Sequence, residues 1–555
     1  MTKFFFHLFF LLLLSLVSPK PFSTCESKLY CQGPLLHAIQ MSDIFPDSKT
    51  FVDMPSKYSE TIILEHFSKL SQPPTKPELQ KFLNENFYEV GSDIVNEEAL
   101  DWKSRPKFID IIKDERLKAF GMILNEKWKN LLRKFAKICD DCVSSKIETA
   151  NAFVVPGGRF IEYYYWDTYW IVKGLLICEM FETVKGILQN FLDIIKNNGY
   201  IPNGARIYYL NRSQPPLLIQ MIHEYFKKTN DYDFLKYAID LLDQEYDSWM
   251  TEKVTSITRN NKNYLLNTYN ISTEFPRPES YKEDYINGQK TEDFKNYYSN
   301  VISVAESGWD FSSRWFKRAD DITTIQIRDL IPVDLNAIMY KNEGVLSELH
   351  LHLNNFEKSE FYNEKAKNRL DSIEAILWSD EFSTWADFNT KTSTLNLNHL
   401  YISSLTPLWA GVPLPTELKN ILRNYESFLK DHISGIPSSN VETGQQWDFP
   451  NVWAPYHHWM VTYLNENNYD LYPNSSRMNS SYLALDIANR FVNTVFCSHQ
   501  NQNTIYEKYN ADKRGERGEG GEYKVQEGFG WTNGVAIEFL EMFGERLEAP
   551  IECKN

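Results

Sequence analysis

Along most of the chain, apolar residues recur three and four positions apart, and short polar turns cut the pattern into segments. In "DTYWIVKGLLICEMFETVKGILQNFLDIIKNNGYIPNG", residues 167–204, this spacing predicts helix that stops at Asn197, Asn198 and Gly199. "PPLLIQMIHEYFKKTNDYDFLKYAIDLLDQEYDSWMTE", residues 215–252, predicts a proline start, a helix, a polar turn at "KKTNDYD" and a second helix. "EGVLSELHLHLNNFEKSEFYNEKAKNRLDSIEAILW" repeats the arrangement at 343–378, and "MNSSYLALDIANRFVNTVF" and "GVAIEFLEMFGERL" predict later helices. Strand-like alternation is scarce, and no βα alternation is visible. Loops rich in Gly, Pro, Trp and Arg lie between the pairs. Helix pairs joined alternately by short turns and long loops predict an all-α closed ring of hairpins. The competing open solenoid would show a fixed repeat period, and none is found. No low-complexity linker divides the chain, so one domain is expected over residues 25–555.

The N-terminus changes the setting. One lysine precedes an apolar run from Phe4 to Val17, too short for the roughly 20 residues that span a bilayer. The pattern reads as a secretory signal peptide over residues 1–24, and the protein is expected to be secreted. Four N-x-S/T sequons, at Asn211, Asn270, Asn474 and Asn479, agree with that setting. Seven cysteines leave at least one unpaired or paired between chains. Cys25 with Cys31 would close a small loop, and Cys497 with Cys553 would tie down the C-terminus. Cys139 and Cys142 form a lone C-x-x-C without the context of a zinc or redox site, and are expected to be a plain surface pair. The formal charge of −16 argues against nucleic acid, anionic membranes and polyanionic substrates.

The chemistry is concentrated in the loops. "PGGRFIEYYYWDTYW", residues 156–170, mixes seven aromatic rings with Arg159, Glu162 and Asp167. Rings beside polar donors and acceptors suit a sugar, with its apolar C–H face and fringe of hydroxyls. There is no H-E-x-x-H, no G-x-S-x-G, no phosphate loop and no dinucleotide fingerprint. The remaining loops, "PNGARIYYLNRSQPP", "PRPESYKED", "AESGWDFSSRW", "QQWDFPNVWAP" and "EKYN…GEGGEYKVQEGFGWTNG", combine acids, arginines and tryptophans. Glycosidic cleavage needs one carboxylic acid to protonate the leaving oxygen and one carboxylate to activate water or attack. Read locally, Asp310 is a candidate helix cap or an i,i+4 partner of Arg314. Glu507 is a solvated acid beside Lys508, and Trp447 and Trp453 serve equally as core or pocket wall. His457 and His458 read as a structural pair.

"PGGRFIEYYYWDTYW" and "QWDFPNVWAP" resemble the two signature motifs of the trehalases, the glycoside hydrolases that split α,α-trehalose. "RSQPP", "RPESY", "ESGWDFSSRW", "EKYN" and "GGEY…GFGWTNG" match in family order. The resemblance runs from about Cys25 to the C-terminus, with its specific blocks beginning at Pro156. It implies an (α/α)6 toroid and hydrolysis of trehalose with inversion, without metal, cofactor or obligate protein partner. Asp310 is implied as general acid and Glu507 as general base, with Glu522 its foremost rival, ahead of Glu519 and Glu527. Implied substrate contacts are Arg159, Trp166, Asp167 and Asn203, the block Arg212, Ser213 and Gln214, and the block Arg277, Pro278 and Glu279. Gly308 and Glu522 complete the set. Asn211 is expected to carry no glycan, because its loop would face inward. Another inverting α-glucosidase on the same toroid, or a non-catalytic sugar-binding protein, are the alternative readings.

Overall fold

The computed structural model describes residues 24–467, 469 and 479–553. The expected signal segment and Asn474 lie outside the described residues, save Thr24. Six helices pass their contacts round in a closed cycle: Asp167–Ile177, Leu218–Thr229, Val333–His352, Thr406–Ala410, Ala454–Glu466, Gly530–Phe543, and back to the first. In chain order they alternate with outer helices: Glu115–Leu131, Phe181–Asn198, Tyr232–Glu252, Phe356–Ile376, the short pair Leu418–Arg423 and Glu426–Lys430, and Ser480–Gln502. The architecture is the all-α toroid of helical hairpins that the periodicity predicts. The strands among the described residues are short and form sheets of two or three.

The sequence explains which helix goes where. Asp167–Ile177 buries every residue except Lys173, and Gly530–Phe543 every residue except Glu541 and Met542. Helices apolar all round must be buried all round, so they form the inner ring. Outer helices keep a polar face. Phe181–Asn198 ends at Gly199, which takes the left-handed conformation (φ 88°) that the Asn-Asn-Gly stop predicts. At "KKTNDYD", Asn230 closes one helix, and the Asp231 carboxylate accepts from the Phe234 N–H to open the next.

The ring closes on a glycine pair. A Cβ on Gly174 would lie 2.7 Å from the Gly534 Cα, and one on Gly534 would lie 2.2 Å from the Trp170 carbonyl oxygen. Only glycine lets the first and last inner helices approach this closely.

A second, smaller core belongs to the N-terminal residues. Leu29, Leu36, Phe51 and Phe82 pack with Tyr164, Tyr208 and Tyr209 of the motif loops. Buried ion pairs bolt this layer down: Lys49 meets Glu162 at 2.7 Å, and Arg206 meets Asp93 at 3.3 Å and Glu162 at 3.4 Å. Disulfides join Cys25 to Cys31 and Cys497 to Cys553. Cys139 and Cys142, expected as a plain surface pair, are also bonded to each other, and Cys178 is the buried free thiol. Among the described residues, no helix is long and apolar enough to cross a membrane.

Candidate active site

The N-terminal ends of inner helices converge on one cavity lined by acids, arginines and tryptophans. Asp167 is the first residue of its helix, Trp453 caps Ala454–Glu466, and Trp531 is the second residue of Gly530–Phe543. Trp447 and Trp453 stack face to face, centroids 3.9 Å apart and 4° between planes, with Trp166 tilted against Trp447 at 5.9 Å. All three are nearly inaccessible, yet line the cavity, so they serve as core and wall at once.

Asp310 reaches the cavity from the loop after helix Phe294–Ser307. Gly308 ends that helix with φ 77°, and a Cβ there would sit 2.7 Å from the Trp166 ring. The loop is held from several sides. Trp309 stacks on Trp447 at 5.0 Å and donates to the Tyr456 hydroxyl at 2.7 Å. The Asp448 carboxylate accepts from the Ser312 hydroxyl at 2.7 Å and the Ser313 N–H at 2.8 Å. Neither local reading of Asp310 holds. Arg314 spends its guanidinium on Asp334 and Asp387, each in two hydrogen bonds of 2.7–2.8 Å, and Ser312 caps the following turn. Burial pushes the Asp310 carboxyl up to about 6, against the pull of Arg277 and Arg212.

Glu507 arrives on a different element. Strand Lys508–Asn510 pairs antiparallel with Asn451–Trp453, setting Lys508 opposite Trp453 and Tyr509 opposite Val452. This pairing brings "EKYN" against "QWDFPNVW", two stretches remote in the chain. The Glu507 carboxylate is 2% exposed. It accepts from the Tyr523 hydroxyl at 2.8 Å and the Gln526 N–H at 3.4 Å. Burial raises its pKa, opposed by the Lys508 ammonium and the Tyr523 hydrogen bond, with Asp310 adding to the rise. Burial in turn lowers Lys508 to about 8. Glu519 and Glu527 are exposed and do not line the cavity, whereas Glu522 does.

Around these two carboxyls stand the arginines. Arg277 donates to Asp284 at 2.8 and 2.9 Å and to Glu522 at 2.9 Å. Burial lifts Glu522 to about 7 despite Arg277. Arg212 donates to Asn203 at 2.8 Å and Glu279 at 2.6 Å. Arg159 donates to Asp47 at 2.6 Å. Three buried polar atoms here lack a hydrogen-bond partner: Arg159 Nε, Arg212 Nη1 and Glu279 Oε2. Burial, with the nearby Glu507 charge, raises Asp167 well above the usual carboxylate range.

Of the site residues expected from sequence, all but two line this cavity. Ser213 turns its hydroxyl to the Ile201 carbonyl at 2.6 Å, and its N–H donates to Glu306 at 3.0 Å. Pro278 is buried, and its carbonyl accepts from Gln40 at 3.0 Å. Both shape the blocks that carry their neighbours and do not reach the cavity. Sequence reasoning missed Lys49, Tyr164, Tyr209, Gln446 and Tyr523, which do. Tyr164, Tyr209, Gln446 and Tyr523 sit inside the quoted loops. Lys49 carried no local signal, since its place depends on an ion pair with Glu162 across 113 positions.

A family model described as Trehalase matches residues 43–544. The chain is 41% identical to a trehalase of Dictyostelium discoideum, over 94% of this chain and 91% of that one. It is 40% identical to a trehalase of Apis mellifera, over 95% and 86%, and 38% identical to a trehalase of Homo sapiens, over 94% and 90%. Among solved structures it is similar to neutral trehalase Nth1 from Saccharomyces cerevisiae, with a TM-score of 0.56 and 23% identity over 71% of this chain and 74% of that one. That last likeness concerns the fold alone. Motif order, cavity geometry and relatives spanning nearly the whole chain converge: the chain belongs to the trehalase family, and is a glycosidase.

Proposed function

We propose that this chain hydrolyses α,α-trehalose to two glucose molecules by single displacement with inversion. Asp310 is the general acid that protonates the bridging oxygen, and Glu507 is the general base that takes a proton from water. The observation that carries this reading is the meeting of these two carboxyls, 197 positions apart in the sequence, in one cavity. Asp310, raised to about 6, holds a proton available for transfer. Glu507 keeps Lys508 and the Tyr523 hydroxyl beside it, which favour its ionised form. Inversion requires room for a water between attacking carboxylate and sugar, with carboxyls roughly 6.5–9.5 Å apart. The unpartnered faces of Arg159, Arg212 and Glu279 supply donors and an acceptor for hydroxyls, and the tryptophan wall supplies an apolar face.

We further propose that residues 1–24 are a cleaved signal peptide, that 25–555 act as one secreted catalytic domain, and that Asn211 carries no glycan. The three disulfides suit an oxidising compartment. The Asn211 side-chain oxygen is buried without a partner, in a loop packed inward.

The test is proton NMR of a trehalose digest. One α- and one β-glucose should appear per turnover before mutarotation, and Asp310→Asn and Glu507→Gln should each abolish release in a folded protein. Two α-glucoses would overturn inversion, and a faster rate on maltose than on trehalose would reassign the substrate.

A further inference from the structure

Gln446 stands between the two catalytic elements. It is 1% exposed and lines the cavity. Its side-chain amide has two ends, and both are used. The Nε2 end donates to the backbone carbonyl of Asp310. The Oε1 end accepts from the Lys508 ammonium at 3.2 Å. Lys508, itself buried, also donates to the Gly520 carbonyl at 3.1 Å and lies over the Trp453 ring at 5.2 Å. The Gln446 backbone carbonyl accepts from Trp453 Nε1 at 3.0 Å. Gln446 therefore ties the acid loop to the base strand, and Lys508 ties that strand to the glycine-rich loop.

The chemistry of the two ends fixes the amide's orientation. An ammonium has no acceptor, so it must face the amide oxygen, and a carbonyl has no donor, so it must face the NH2. A flipped amide would set donor against donor and acceptor against acceptor. Glu507 has its own support in strand pairing, Tyr523 and the Gln526 N–H. Asp310 has Gln446 on the carbonyl of its own peptide.

Resting on the proposed roles of Asp310 and Glu507, the geometry points to Gln446, oriented by Lys508, as the positioning residue that aims the Asp310 carboxyl at the leaving oxygen. Neither side chain need touch the reacting atoms. Burial lowers Lys508 to about 8, so the ammonium that anchors the amide is present in acid and is lost in alkali.

Substrates that differ in their need for an acid separate this role from a merely structural one. Trehalose must expel a glucose through its anomeric oxygen, a poor leaving group that needs the proton. α-Glucosyl fluoride leaves as fluoride and needs little protonic help. Gln446→Ala should lower kcat on trehalose about 100-fold, the scale of a misplacement near 1 Å, while kcat on the fluoride falls less than about tenfold. Lys508→Met should also lower kcat on trehalose, but because its ammonium favours ionised Glu507 as well, part of its loss should appear on the fluoride too, unlike that of Gln446→Ala. An equal loss on both substrates marks a smaller active fraction and overturns the inference, as does unchanged kcat on trehalose. If Gln446→Ala does not fold, Gln446→Glu, which keeps the shape but loses the donor, takes its place under the same criteria. Failure of the underlying assignment looks different: Asp310→Asn would then retain trehalose turnover whatever happens at Gln446.

Discussion

Replacing Asp310 by asparagine should abolish turnover and stabilise the fold, but only above a certain pH. The folded chain holds the Asp310 carboxyl up at about 6, chiefly by burial, against an ordinary value of 3.8. Between those values the native state binds a proton that the unfolded chain has lost, so rising pH destabilises the native state. The penalty is absent below about 3.8 and complete above about 6. At about 1.36 kcal/mol per pH unit, its ceiling is about 3 kcal/mol. Asp310 keeps partial exposure, so solvent screening brings this to about 2 kcal/mol. Asparagine matches the shape and cannot ionise, so it removes the penalty. Unfolding entropy near 2.1 cal/mol/K per residue gives a chain of this length about 1.2 kcal/mol per kelvin. The variant should therefore melt about 2 °C above the parent at pH 7.5, and level with it at pH 4. Scanning calorimetry at both pH values, at one scan rate, reads this directly. A variant less stable than the parent at pH 7.5, or a gain equal at both pH values, would refute the argument that burial holds the acid protonated.

Three further outcomes follow from the same geometry. kcat/KM should follow a bell against pH, falling about tenfold per unit above pH 6 as Asp310 loses its proton and falling again in acid as Glu507, raised above 4.5, gains one; a flat profile from pH 5 to 8 would count against the assignment. Gly308→Ala places a Cβ 2.7 Å from the Trp166 ring at φ 77°, so it should cost about 1–3 kcal/mol of stability and at least tenfold in kcat, read by denaturant unfolding and steady-state kinetics. Gly534→Ala puts its methyl against the Trp170 carbonyl, which cannot yield as a side chain can; about 3 kcal/mol of stability should go, visible as a lower Tm and poorer soluble yield.

Much of the fold could be read directly because its determinants are local. The "KKTNDYD" turn and the Asn-Asn-Gly stop act through their own caps, and they fall where the periodicity puts them. Helices without a polar face occupy the inner ring. The motif loops delivered most of the cavity wall because the chemistry sits in contiguous stretches. What escaped was non-local. Arg314 looked like a neighbour of Asp310, but pairs with Asp334 and Asp387, 20 and 73 positions on. Asp47 and Lys49 lie in the N-terminal stretch without specific motifs, yet they meet Arg159 and Glu162 beside the cavity. A partner more than a hundred residues away leaves no periodic trace. Cys139 and Cys142, read as a plain surface pair, are three positions apart, close enough for the two sulfurs to bond each other.

The glycine seam between Asp167–Ile177 and Gly530–Phe543 has a consequence for biosynthesis. The two partners stand more than 350 positions apart, so no nascent chain can seal its ring until the final helix has left the ribosome. Until then, helices with no polar face stay open to solvent, and the half-built barrel is a substrate for chaperones and for aggregation. A stop codon between residues 507 and 530 removes the keystone, and its product would retain both Asp310 and Glu507 and still lack the enclosure that makes them a pair.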